Sequence, residues 1–139
     1  MSMPLFTPIF IPGLLCTEFL FAKQRATMSN AGLIGDTTQH DSINEMAKFA
    51  LGQCAGALVP VGLSMGGYVA LEMARLAPER IAGMALLSTN AGVDNDERAN
   101  ERRQAIKLAT HKGFKGITRS FLFQFISKTA PVDSVLADK

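Results

Sequence analysis

The apolar positions of this chain change their spacing along the sequence, and each spacing predicts a different element. Residues 5 to 11, Leu-Phe-Thr-Pro-Ile-Phe-Ile, form a nearly continuous apolar run ended by Pro12-Gly13, the pattern of a buried strand entering a turn. The stretch Ala26 to Ala31 predicts a weaker second strand. From Ile43 the period lengthens. Ile43, Met46, Ala47, Ala50, Leu51 and Cys54 recur at the three- and four-residue intervals that place side chains on one face of a helix. Asp41 or Ser42 can cap its start, and Glu45, three residues after Ser42, completes a capping box.

Residues 57 to 62 predict a further strand, residues 66 to 76 a helix stopped near Pro78, and Ile81 to Ser88 another strand. Strands apolar on both faces and alternating with helices imply a mostly parallel sheet with flanking helices, the α/β class. After Asn90 the texture turns polar. Asp94, Asp96 and Glu97 sit where a helix start favours acids, and Ala105, Ile106, Leu108 and Ala109 give the helix that follows a thin apolar side. A second helical pattern sets Phe114, Ile117, Phe121, Leu122, Phe125 and Ile126 on one face. No strand-like run follows Ser88, and no internal repeat is found. The expected organisation is a sheet-bearing part over 1–93 and a helical segment over 94–139.

Composition narrows the functional classes. With 139 residues, 47% apolar and 19% charged, the chain is long enough for one compact domain and too apolar for a disordered one. A net charge of +2 does not indicate a general nucleic-acid surface. The charge is unevenly placed: residues 1–93 hold five Lys/Arg and six Asp/Glu, residues 94–139 nine and six. The apolar stretch from Met3 to Phe21 is interrupted by Pro12, Gly13 and Glu18, which supports neither a membrane span nor a signal peptide. Cys16 and Cys54 stand alone without a C-x-x-C spacing. They support no metal site or redox motif, and a reduced, cytoplasmic setting is expected.

The chemistry concentrates at residues 62 to 67, Gly-Leu-Ser-Met-Gly-Gly, which directly follow the apolar run Ala57-Leu58-Val59-Pro60-Val61. A strand passing through Gly-x-Ser-x-Gly into a helix is the context of a nucleophile elbow. The turn is so sharp that Gly62 and Gly66 must be small, while the Ser64 hydroxyl projects from the end of the sheet. The helix N-terminus behind Ser64 directs its amides at the place where a negative oxygen would form, with Met65 the first donor. The alternative is a chance match in which Ser64 merely caps a helix. Pro60 is a departure, since proline inside a central strand forfeits a ladder hydrogen bond.

The segments Ile-Pro-Gly-Leu-Leu-Cys (11–16) and Gly-Leu-Ser-Met-Gly-Gly-Tyr-Val-Ala-Leu-Glu-Met-Ala-Arg-Leu-Ala-Pro-Glu-Arg-Ile-Ala-Gly-Met-Ala-Leu-Leu-Ser-Thr (62–89) resemble the α/β-hydrolase fold, in its esterase and lactonase-like branch. The resemblance covers about residues 5 to 93. It implies Ser64 as nucleophile, with the amides of Leu14 and Met65 as oxyanion donors and a small-molecule ester, thioester or lactone as acyl substrate. It implies no metal and no cofactor.

A serine nucleophile also needs a histidine and an orienting carboxylate, in this fold in the chain order Ser, Asp or Glu, His. Downstream of Ser64 the one histidine is His111, in a basic helical segment resembling the family's cap. His111 is read as a solvated cap residue or as a base paired with an acid such as Asp94. His40 lies upstream, in the wrong chain order, and is expected to be an exposed polar residue before a helix cap. The chain is therefore expected to be an incomplete α/β-hydrolase core, the N-terminal portion of a longer enzyme, weak or inactive alone. The rival expectation is a non-catalytic, hydrolase-like binding module that self-associates through an exposed sheet edge or the Phe-rich helix face. That helix, with its nearby Lys and Arg, also admits a membrane-surface reading, although no stable membrane insertion is expected.

Overall fold

Four parallel strands form one sheet in the computed structural model of the chain, which describes residues 6–113 and 116. In chain order the elements are β1 (Thr7–Ile11), α1 (Ala22–Thr27), β2 (Leu33–Ile34), α2 (Ile43–Gly52), β3 (Leu58–Leu63), α3 (Met65–Leu76), β4 (Ala85–Leu87) and α4 (Asp96–Lys112). The spatial order is β2-β1-β3-β4. Ile9 lies beside Leu33 and Pro60, Ile11 beside Gly62, and Leu63 beside Leu87. The α/β class read from the hydrophobic pattern is the class observed. The chain divides into two compact units, Met1–Gly92 and Val93–Lys139. The Phe-rich pattern at 114–126 lies outside the described residues.

Alternation along β1 explains why its sequence is apolar from Pro8 onward. Ile9 and Ile11 join Leu58, Met46, Ala47 and Ala50 of α2, and Val69, Ala70 and Met73 of α3 in one buried cluster. Phe10, which alternation sends to the opposite face, packs on Phe21 with ring centroids 5.1 Å apart. The start of α2 is fixed by Ser42, whose hydroxyl accepts from the Glu45 amide at 3.2 Å. The expected capping box is only half formed, because the Glu45 carboxylate pairs with Lys48 at 2.8 Å. At the other end of α2, the Arg80 guanidinium donates to the carbonyls of Leu51, Cys54 and Gly56, groups that the helix end and its turn leave unpaired.

Two expected strands are corrected. Residues 26–31 form no strand. Ala22, Lys23, Gln24, Arg25 and Ala26 are strong helix formers and make α1 instead, and Arg25 Nε then donates to Ala31 O at 2.8 Å. The strand begins one residue after Gly32, whose φ of 66° turns the chain onto β1; a Cβ there would lie 2.5 Å from the Pro8 carbonyl oxygen. The expected strand 81–88 shrinks to Ala85–Leu87, with Ile81 making an isolated bridge to Leu58.

Pro60 supplies the reason for the second correction. Leu58 O accepts from Ala82 N, and Ser64 N donates to Leu87 O, both at 2.9 Å. The even-numbered residues of this strand thus turn their backbone groups toward β4, and Pro60, lacking an N–H, falls between them. Across that gap the partner strand takes four steps, from Ile81 to Ala85, against three from Leu58 to Val61. A one-residue bulge sits where the donor is missing.

The α2–α3 contact is tied at its rim by Glu72. Its carboxylate accepts from Arg75 Nε and Nη2, both at 2.7 Å, and from Asn44 Nδ2 at 2.6 Å. Those bonds, Arg75 first and Asn44 second, lower its pKa from 4.5 to about 2. A depressed carboxylate pKa stabilises the fold above the unfolded value, and the contribution fades as pH falls through the folded one. The difference in thermal midpoint between wild type and Glu72→Gln is therefore expected to hold steady down to about pH 4.5 and to shrink toward pH 2. A difference that stays constant over that window would contradict the assignment.

Candidate active site

The connections place a topological switch point at the carboxyl ends of the paired strands β1 and β3. From β1 the chain crosses to β2 on one side, and from β3 it crosses to β4 on the other. The loops that leave these two carboxyl ends diverge, and open α/β sheets bind ligands in the crevice so created. The segments that emerge there are Pro12-Gly13-Leu14 after β1 and Ser64 after β3.

Ser64 joins β3 to α3 through a single residue with φ 53° and ψ −115°. An L-residue adopts this region only when its surroundings enforce it, and here three hydrogen bonds to its backbone groups do so. Ser64 N donates to Leu87 O at 2.9 Å; its own carbonyl oxygen accepts from Gly67 N at 3.0 Å and from Thr89 Oγ1 at 2.9 Å. Glycines close the turn from every side. A Cβ at Gly62 would overlap the Gly66 carbonyl, one at Gly66 would overlap the carbonyl oxygen of Ile11, and one at Gly67 would overlap the Thr89 side chain. The Ser64 side chain is exposed and makes no capping hydrogen bond to α3. A role as a helix cap therefore does not account for it.

The loop after β1 leans directly on this turn. A Cβ at Gly13 would stand 3.4 Å from Leu63 O and 3.5 Å from Ser64 Cβ. Gly13 O accepts from Cys16 N at 3.1 Å, closing a tight turn in which Leu15 takes φ 61°. Leu14, between them, is two-thirds exposed. Met65 opens α3, where the first amides have no partner within the helix and the dipole presents its positive end. On the far side of Pro12 a cleft of about 460 Å³ runs between the ends of β1 and β2, lined by Cys16, Glu18, Ile34, Asp36 and Thr38 among others.

Of the titratable groups expected from sequence, His40 and Asp94 each have another partner. His40, the one histidine of the first unit, is half-buried rather than exposed and packs on the Phe49 ring at 5.4 Å. Asp36 in the same loop is spent on shaping it. Its carboxylate accepts from Thr38 Oγ1 and N and from Gln39 Nε2, bonds that hold its pKa below the ordinary value. In the second unit Asp94 is taken by Arg102, with Nε 2.9 Å from Oδ2. His111 lies nine residues beyond Arg102 on α4, about 13 Å further along the helix axis. The His111–Asp94 pair is therefore not formed, because the nearer guanidinium holds the acid. Among the described residues no group of three or more His, Cys, Asp or Glu is placed to hold a metal ion.

Two residues of the junction escaped the sequence reading. Gly67 carried a signal, the third glycine of the motif, and is constrained as tightly as Gly62 and Gly66. Thr89 carried none. It ends an apolar run with nothing to mark that its hydroxyl crosses to the neighbouring strand's turn. Compared with known proteins, the chain matches no family model and is significantly similar to no curated protein.

The glycine interlock predicts a sharp contrast between two alanine substitutions. Gly66→Ala forces a Cβ into the backbone of β1 and is expected to destabilise by roughly 3–5 kcal/mol. Gly52→Ala, at the end of α2 with nothing within 4 Å of the added Cβ, is expected to be neutral or to stabilise by up to about 1 kcal/mol. Urea unfolding of both variants decides it, and equal effects would refute the interlock.

Proposed function

We propose that this chain carries the nucleophile and oxyanion machinery of an α/β-hydrolase-type serine hydrolase acting on a carboxylic ester, thioester or lactone. The observation that supports this most is Ser64 at φ 53°, exposed at the sheet's switch point with Gly13 packed against it. In this reading Ser64 Oγ gives its proton to a base from outside these residues and attacks the acyl carbon, and the carbonyl oxygen becomes an anion. The amides of Leu14 and Met65 hold that oxygen, the alkoxide or thiolate leaves, and water then cleaves the acyl-serine. Exposed Leu14 and Leu15, in the turn that follows Gly13, suit an apolar acyl or alcohol group.

The base is the part of the triad that these residues do not provide. His40 is held on Phe49, and among the described residues of the first unit none hydrogen-bonds the Ser64 hydroxyl. Serine proteases stripped of a triad member keep a rate on the order of 10³-fold over water from the oxyanion hole and binding. Turnover by this chain is expected to be of that residual kind, in a cytoplasmic setting.

A second reading, a self-associating module, rests on β4. It is the outer strand of the sheet among the described residues, and Leu86 and Leu87 on it are 43% and 41% exposed. Such an edge offers unpaired backbone groups and apolar area to another chain. Neither reading involves nucleic acid, and among the described residues no helix is long and apolar enough to cross a membrane.

A fluorophosphonate probe separates the two readings, with imidazole added to stand in for the base. Slow covalent labelling at Ser64, accelerated by imidazole and absent in Ser64→Ala, is the expected result by peptide mass spectrometry. Folded protein that takes no label at Ser64 with imidazole present would sink the hydrolase reading.

A further inference from the structure

Thr89 stands two residues beyond β4, and its hydroxyl donates across to the Ser64 carbonyl oxygen at 2.9 Å. The same oxygen accepts from Gly67 N at 3.0 Å, so it is clamped from two directions. The Thr89 side chain also fills the place left by the missing Cβ of Gly67: its Cγ2, Cβ and Oγ1 are the three nearest atoms there. It reaches that place because Ser88 before it takes φ 46°. The end of β4 is thus locked into the first turn of α3 by a hydrogen bond and by shape.

The clamp has a consequence through covalent geometry. The Ser64 carbonyl and the Met65 N–H belong to one peptide, which is planar and trans, so the two groups point in opposite directions. Holding the oxygen fixes where the amide hydrogen points. Each donor to the oxygen also polarises the peptide and makes its N–H a stronger donor in turn. Ser64 itself is at a strained φ and has no side-chain bond to fix that peptide.

We infer that Thr89 is a positioning residue which orients and strengthens the Met65 amide as an oxyanion donor, acting through the Ser64–Met65 peptide without touching substrate. The inference rests on the reading of Ser64 as the nucleophile. Pre-aimed donors contribute to acyl transfer because they need not reorganise as charge develops. A mis-aimed donor loses part of that effect.

The test compares wild type, Thr89→Val, which keeps the shape and removes the hydroxyl, and Thr89→Ser, which restores it. The readouts are the carbonyl ¹³C resonance of Ser64 and the labelling of Ser64 by the fluorophosphonate probe with imidazole. Thr89→Val is expected to move the resonance upfield and to slow labelling at saturating probe about tenfold, short of the loss on deleting a donor outright. The half-saturating probe concentration and thermal midpoint should stay near wild type, and Thr89→Ser should recover resonance and rate. An unmoved resonance, wild-type labelling by Thr89→Val, or a Thr89→Ser variant as slow as Thr89→Val would overturn the role. If wild type itself takes no label while the resonance still responds to Thr89→Val, the nucleophile reading fails and this role falls with it. Normal wild-type labelling that Thr89→Val leaves unchanged removes this role alone.

Discussion

At Ser64 the backbone stands at φ 53° and ψ −115°, a conformation that costs an L-residue on the order of 1–3 kcal/mol. The rest of the described fold is arranged so that this residue has no cheaper choice. Gly62, Gly66 and Gly67 remove the side chains that would block the turn, and the neighbouring strand takes the Ser64 amide and, through Thr89, its carbonyl. Gly66 takes part twice: its missing Cβ leaves room for the carbonyl of Ile11, and its own carbonyl occupies the place that a Cβ at Gly62 would take. The helix can therefore start hard against the end of β1, which brings the Gly13 loop onto Ser64.

The buried cluster keeps this geometry from relaxing. Val69, Ala70 and Met73 of α3 are buried against Ile9, Ile11 and Leu58 of the sheet, so the helix that Ser64 begins cannot pivot without opening the core. Alanines at 47, 50 and 70 keep that layer thin. Pro60 fits the same frame. Its missing donor is met by a bulge in the adjacent chain, and the ladder resumes at Val61–Ala85, in time for Gly62 and Ser64 to be paired. Strain at one residue is thus supported by pairing on one side and packing on the other.

Much of this was legible in the sequence because it depends on local rules. Period and glycine spacing identified β1, α2, β3 and α3, and Gly62-x-Ser64-x-Gly66 identified the turn. What was not legible depends on residues that meet across elements. Ala26–Ala31 looked like a strand until Arg25 and Gly32 tied the segment into a helix and a turn. The break at 82–84 is dictated by Pro60 on another strand. Asp94 looked free for a histidine, yet Arg102 lies one helical stretch away and takes it. The contact of Thr89 with Ser64 joins residues 25 apart, and no pattern in either segment announces it.

We propose that the turn at Ser64 holds an oxyanion between the Leu14 and Met65 amides. Amide proton resonances of a ¹⁵N-labelled chain, recorded before and after phosphonylation at Ser64, test it most directly, because a phosphonyl oxygen occupies the place of the developing anion. The account predicts that the Leu14 and Met65 amide protons both move strongly downfield in the adduct while those of the distant helix α2 stay in place. A Ser64 adduct that leaves both resonances where they were would contradict it.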